Sequence, residues 1–359
     1  HYRIRHMSNQ IKVLVVGDYL FSLYEEALVK AFRRLGLQVE EFKVCNYLDY
    51  TTFLSRKITN LQLNWLIGPI IHKANKDLER KLDEGKYDFV FFYRPRIFKP
   101  SVIEQGAHKS ILMCYNNDDP FGKLYTSRYW KYYIEGLPYY HHIFYYRHKN
   151  KKDYEALNIV GNTSLLRSYY IADQNFPIPT PKEYDVIFIG HFEDDGRDEY
   201  IKYLLENGVS FKLFGTGWHK SKYFNYFESV MGKIRPVRKE YNETINKAKI
   251  ALVFLSTLNS DTYTRRCFEI PATKTLMLAK YTDDLNSMFQ EGVEADYFRD
   301  KEELLNKVRY YLANEEKCRK VGELGYARLI KDGHEITDRA RDIIEIYKKI
   351  DESRKNHYH

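Results

Sequence analysis

The segment with the most chemistry runs Asp261-Thr262-Tyr263-Thr264-Arg265-Arg266-Cys267-Phe268-Glu269-Ile270-Pro271-Ala272. A strand-like run enters it, a short helix over residues 265–273 is expected to follow, and a strand over 275–279 leaves it. Backbone amides at the start of such a helix can bind phosphate oxygens. Arg265 or Arg266 can add a planar, charge-assisted contact to the same diphosphate. Glu269, one turn on, can accept hydrogen bonds from two neighbouring hydroxyls, as on a ribose. The spacing itself carries nothing: among 49 acidic residues, roughly six or seven pairs at the Asp261–Glu269 separation arise by chance. Its weight comes from the flanking strands and the paired arginines.

Those residues need a frame, and the chain alternates apolar runs with amphipathic ones. In the first half the runs 11–17, 39–44, 89–93, 111–115 and 142–146 read as buried parallel strands, with a helix over 22–35 stopping at Gly36. At Phe176-Pro177-Ile178-Pro179-Thr180-Pro181 the periodicity stops, because alternate prolines continue neither a helix nor a central strand. Strands are then expected at 184–190, 209–214, 250–255 and 275–279, and helices at 198–207 and 239–247, with helices dominating from Lys301. The expected fold is therefore α/β, with two Rossmann-like, doubly wound parallel-sheet domains facing a central cleft. The domain expectation is a first Rossmann-like domain over 7–176, a second Rossmann-like domain over 182–334, and a final helix, 335–351. The broad apolar face of that helix, Ile336, Ala340, Ile343, Ile344, Ile346 and Tyr347, is expected to cross back to the first domain, with Arg339, Arg341, Asp342 and Lys348 opposite.

From Tyr184 to about Ile344 the chain resembles the carboxyl-terminal domain of group-one glycosyltransferases with the GT-B fold, in particular the CgeB-like, spore-maturation branch. The pieces that carry the resemblance are Phe188-Ile189-Gly190-His191 with Gly196-Arg197, then Leu213-Phe214-Gly215-Thr216-Gly217-Trp218, then 241–250 and Thr264-Arg265-Arg266-Cys267-Phe268-Glu269-Ile270. Phe289-Gln290-Glu291-Gly292-Val293-Glu294 and 297–304 follow in the same order. The first half resembles the family loosely, through 12–17 and Asn117-Asp118-Asp119-Pro120.

The resemblance implies that the second domain binds a nucleotide-sugar donor and the first an acceptor, which would be a glycan, a lipid or a protein. Gly190, His191, Arg197, Gly215, Gly217, Arg265, Arg266 and Glu269 would contact the donor. Arg197 would lie near the diphosphate, and Gly215 and Gly217 would let backbone approach the base or phosphates, since glycine lacks a Cβ. Asp261 and Glu269 would stand where relatives carry two acidic residues, Asp261 being shorter than the usual Glu. Lys274 stands where the pattern prefers Gly.

Breaking a glycosyl–phosphate bond places negative charge on the diphosphate, and Arg197 with Arg265 or Arg266 can stabilise it without a metal. The resemblance favours retention of configuration; an inverting enzyme would need a base such as Asp18, Asp118 or Asp119, each just past a strand. A nucleotide-sugar epimerase or hydrolase on the same fold, and a non-catalytic binder of a phosphorylated ligand, are the competing readings.

No cofactor or metal is expected. Asp118 and Asp119 are adjacent and point apart on a strand end, so a turn with Asn116, Asn117 and Pro120 accounts for them; His141 and His142 likewise face opposite sides. Cys45, Cys114, Cys267 and Cys318 form no paired motif and read as free thiols of a reducing, cytoplasmic compartment. The net charge of +8 suits a phosphorylated small molecule or peripheral contact with an anionic membrane, and no nucleic-acid motif accompanies it. The Tyr-rich, basic stretch 125–154 reads as ordinary half-buried surface rather than as an acceptor or lipid contact. Residues 1–6 read as a vector remnant ahead of a native start at Met7, with the terminal 356–359 equally suspect.

Overall fold

The computed structural model describes residues 10–159 and 162–358. The remnant, the Met7 start and His359 lie outside them. The chain forms two compact units, one taking the residues up to Arg167 together with those from Ile336, the other Ser168–Glu335.

The first unit is built on a six-stranded, all-parallel sheet of β1 (Lys12–Gly17), β2 (Gln38–Lys43), β3 (Phe89–Tyr93), β4 (Ile111–Asn116), β5 (His142–Tyr145) and β6 (Thr163–Leu165). Its order is β2-β1-β3-β4-β5-β6. β3 and β4 are buried along their whole length, which is why they read as unbroken apolar runs. The helices are α1 (Ala27–Arg34), α2 (Phe53–Trp65), α3 (Pro69–Gly85), α4 (Pro100–Ala107), α5 (Lys131–Gly136) and α6 (His148–Ala156). The expected helix over 22–35 is split: residues 22–26 form a π-helical turn before α1 begins. The Tyr-rich stretch contributes core, with Trp130, Tyr133 and Tyr154 buried and the Tyr133 and Tyr154 hydroxyls 2.6 Å apart.

The second unit has a five-stranded parallel sheet, β7 (Tyr184–Ile189), β8 (Phe211–Phe214), β9 (Ala248–Val253), β10 (Leu276–Lys280) and β11 (Asp296–Phe298), in the order β11-β10-β9-β7-β8. Its helices are α7 (Arg197–Glu206), α8 (Phe224–Met231), α9 (Tyr241–Asn246), α10 (Arg266–Glu269), α11 (Asp283–Met288), α12 (Lys301–Ala313) and α13 (Glu315–Asp332). The expected helix over 265–273 is one α-turn, α10, followed by a 3-10 turn over Pro271–Thr273, because Pro271 has no N–H to continue the ladder. The last helix, α14 (Ile336–Asn356), belongs to the first unit, where it packs on α1 and lays the Tyr347 ring 4.9 Å from Phe89. Arg339, expected on its polar face, is buried and donates to the main-chain oxygen of Arg167.

In both sheets the strand order reverses at one place, between β1 and β3 in the first unit and between β7 and β9 in the second. Successive crossovers there lead away in opposite directions and leave a crevice beyond the carboxyl ends of the strands.

Candidate functional site

The crevice of the second unit is open. A cavity of about 530 Å³ is lined by Asp195, Arg197 and Tyr200 from the β7–α7 side, by residues 254–257, Ser260 and Asp261 after β9, and by Lys280 and Thr282 after β10. Thr282 caps α11 and donates to the main-chain oxygen of Thr262 at 2.8 Å, while the Thr262 hydroxyl donates to Asp284 at 2.7 Å. Asp261 is thus carried on a loop stitched to α11.

Arg197 is where the resemblance places it, at the first turn of α7, but its charge is already met. It is buried, forks onto Asp195 through Nε (2.9 Å) and Nη2 (2.7 Å), and donates to the His191 main-chain oxygen at 3.1 Å. Glu193 lies 3.5 Å away. A hydrogen bond from the exposed His191 ring, with the Arg197 charge behind it, holds the Glu193 carboxyl below the usual range. Arg197 therefore organises the β7–α7 loop while lining the cavity.

Lys280 is paired differently. It ends β10 at the cavity wall and donates to the Tyr200 hydroxyl at 3.3 Å and to a main-chain oxygen, with no carboxylate partner among the described residues. It lies one residue beyond the expected end of its strand, and a basic residue at a strand's carboxyl end was the available signal. Arg266 is similar. It sits over the Phe188 ring and beside Gly190, again with no carboxylate partner among the described residues.

Gly190, Gly215 and Arg266 are brought together. A Cβ at Gly215, whose φ is +147°, would collide with the Gly190 main-chain oxygen, and that oxygen accepts from the Trp218 indole at 2.9 Å. Backbone packing just past the ends of β7 and β8 demands the glycine. Gly217, at φ +77° with only ordinary van der Waals contact from Phe192, turns the chain into the Trp218–Lys220 turn.

Arg265 and Glu269 form a second group. Glu269 is buried; Oε1 accepts from the Tyr241 hydroxyl at 2.9 Å and Oε2 from Arg265 Nε at 3.2 Å. Burial, with the Glu269 charge beside it, pushes the Tyr241 hydroxyl well up, so it remains a donor. Each carboxylate oxygen keeps a second lone pair for a ligand hydroxyl. Since α10 spans a single turn, its dipole is weak.

In the first unit, Asp18 and Asp118 meet across one guanidinium at the β1–β3 crevice. Arg94, at φ +51°, pairs through Nε with Asp118, reaches Asp18 at 3.4 Å and donates to the Tyr129 hydroxyl at 3.1 Å. Burial pushes the Asp18 carboxyl up, against the opposing charges of Arg94 and Arg96. Neither carboxylate is an uncommitted base. Asp118 donates its N–H to the Asn116 side chain, and Asp119 is buried, accepting from the Phe121 N–H, Lys149 and Asn150, which is the turn expected there. Among the described residues no group of His, Cys, Asp or Glu is placed to hold a metal ion, and no helix is long and apolar enough to cross a membrane. The cysteines are free, three of them buried.

Residues 197–345 match the family described as Glycosyl transferase-like. No curated protein matches the chain significantly. Among solved structures, sucrose-phosphate synthase from Thermosynechococcus elongatus is 10% identical with a TM-score of 0.69, covering 96% of this chain and 100% of its own. A glycosyltransferase from Rickettsia africae is 13% identical, TM-score 0.68, covering 95% and 99%. Anabaena HepE in complex with UDP and glucose is 10% identical, TM-score 0.65, covering 95% and 100%. At such identities the likeness is one of fold, that of two parallel-sheet α/β domains.

Proposed function

From a chain with the GT-B fold and a glycosyl transferase-like domain over residues 197–345, we propose an enzyme that moves a sugar from a nucleotide-sugar donor to an acceptor. The observation that carries the reading is the cavity at the β7–β9 crevice, where open α/β sheets bind ligands, with Asp261 and Lys280 on its walls. Anabaena HepE, which shares the fold, is recorded with UDP and with UDP-glucose. The motif order that resembles the CgeB-like branch supports the same donor class.

In this reading Lys280 and Arg266 face the diphosphate and stabilise the charge that develops as the glycosyl–phosphate bond breaks. Glu269, fixed by Tyr241 and Arg265, accepts from the ribose hydroxyls. Asp261 orients the sugar. With Asp18 and Asp118 both held by Arg94, the chemistry fits retention better than inversion, the donor phosphate assisting acceptor deprotonation. Catalysis then proceeds without a divalent metal, and the donor unit works in the cytoplasm, where nucleotide sugars are held.

A thermal-shift screen of nucleotide sugars tests the donor claim, since a ligand that binds only the native state raises its melting temperature. Release of nucleoside diphosphate that depends on an added acceptor supports transfer. An isomerised donor with no acceptor requirement identifies an epimerase, free sugar a hydrolase, and stabilisation without turnover a binding protein. Absence of any shift across uridine, guanosine, adenosine and thymidine diphosphate sugars overturns the donor assignment.

A further inference from the structure

Helix α2 is apolar on two faces. Thr59, Leu63 and the following Leu66 are buried against the first unit. Opposite them, Leu54, Ile58, Leu61 and Trp65 recur at helical spacing and are 67%, 49%, 57% and 48% exposed. Phe53 and Ile67 extend the same apolar surface at either end of the helix and are more than half exposed. The helix is firmly built, with a Thr52–Ser55 capping box at its start and Leu66 in the left-handed region at its end. An exposed apolar stripe on a well-capped helix marks an interaction surface.

Its charges say what kind. Between Asp49 and Asp77 every charged residue is basic: Arg56, Lys57, Lys73 and Lys76. The cations sit on the rings of the patch. Lys57 Nζ lies 4.5 Å from the centre of Phe53, Arg56 6.0 Å from that of Tyr50, and Arg128, from another loop, 3.9 Å from that of Trp65. Apolar and aromatic side chains facing outward, with Lys57 and Arg128 set over the rings of the patch, suit a surface that is apolar within and anionic at its boundary.

We infer that α2 docks the first unit on an anionic lipid bilayer, its stripe entering the acyl boundary and Lys57 and Arg128 meeting lipid phosphates. The inference stands apart from the donor site and holds whichever sugar is carried.

The test uses the full chain with vesicles of phosphatidylcholine alone or mixed with phosphatidylglycerol. Co-sedimentation with the mixed vesicles, weakened by salt and absent from the neutral ones, is expected. Trp130 and Trp218 are fully buried, so of the three tryptophans the emission of Trp65 alone should shift to the blue on binding. Replacing Leu54, Ile58 and Leu61 by Gln touches no buried contact and should keep the melting temperature while lowering vesicle binding about tenfold or more. Lys57→Glu with Arg128→Glu should lower it by a similar factor on mixed vesicles, about fivefold for each charge removed near the surface. Failure of the wild-type chain to sediment, equal binding by the Gln variant, or an unmoved tryptophan emission overturns the inference. So does a dimer in solution that the Gln variant abolishes while vesicles bind neither protein, which would assign the stripe to a second copy of the chain.

Discussion

The main-chain oxygen of Gly190 occupies the space that a side-chain carbon on Gly215 would need. The two residues end neighbouring strands, and Trp218 donates to the same oxygen, so the approach is fixed from two sides. Gly215→Ala must therefore move backbone as well as tolerate φ +147°. It should cost at least about 2 kcal/mol in a urea titration, whereas Gly217→Ala, strained but unobstructed, should cost about 1 kcal/mol. Equal losses would remove the packing argument.

Lys274 offers the converse. Its φ of +63° explains why the family pattern prefers glycine there, and Gly322 on α13 admits its main-chain oxygen at close range. The departure noted in the sequence thus places backbone strain at Lys274. Lys274→Gly should raise stability by about 0.5–1 kcal/mol, net of the unfolded-state entropy that glycine adds, and should leave donor affinity unchanged. A loss of stability, measured by denaturant midpoint, would contradict this.

What could be read in advance follows from how much a residue shows without its partners. β3 and β4 were legible because strands buried on both faces must be apolar throughout. β6 and β11 were not, as three residues carry no period. Arg197 reads as an open cation in the sequence because nothing there reveals the fork onto Asp195, although an acid two positions earlier on a tight loop was a clue. Lys280 and Arg94 went unnoticed for a related reason: each directly follows or ends an apolar run, and its place at the crevice exists only once the strand order is known.

Glu25 should give the first unit a pH signature. Its carboxyl, packed against Gly17 and accepting from the Tyr19 N–H at 2.6 Å, is pushed up to about 7 by burial. Unfolded, it titrates near 4.5. The folded chain therefore binds this proton more tightly between those values, and stability from Glu25 is full below about 4.5 and is lost as pH rises through 7. The span corresponds to at most about 3 kcal/mol. Glu25→Gln should flatten the difference between denaturation at pH 5 and at pH 8 relative to wild type. Parallel curves for the two proteins would refute it; Asp18, raised in the same direction, is present in both and cancels.

The last prediction separates cations that serve a ligand from one that serves the fold. Lys280 lines the cavity and Arg266 stands beside Gly190, both without a carboxylate partner among the described residues, while Arg197 is buried and forked onto Asp195. Removing a cation that meets a diphosphate loses a charge-assisted contact but leaves nothing buried and unpaired, so Lys280→Met and Arg266→Met should fold normally. Each should weaken nucleoside-diphosphate binding by about tenfold or more, read by calorimetry, with less effect on the nucleoside alone. Arg197→Met instead strands the largely buried Asp195 carboxylate, with Glu193 beside it, and should lose about 3 kcal/mol or more of stability before any question of binding arises. A stable Arg197→Met protein with selectively weakened diphosphate binding would restore Arg197 as the donor cation. Undiminished binding in both Lys280→Met and Arg266→Met would instead remove the cation assignment made here.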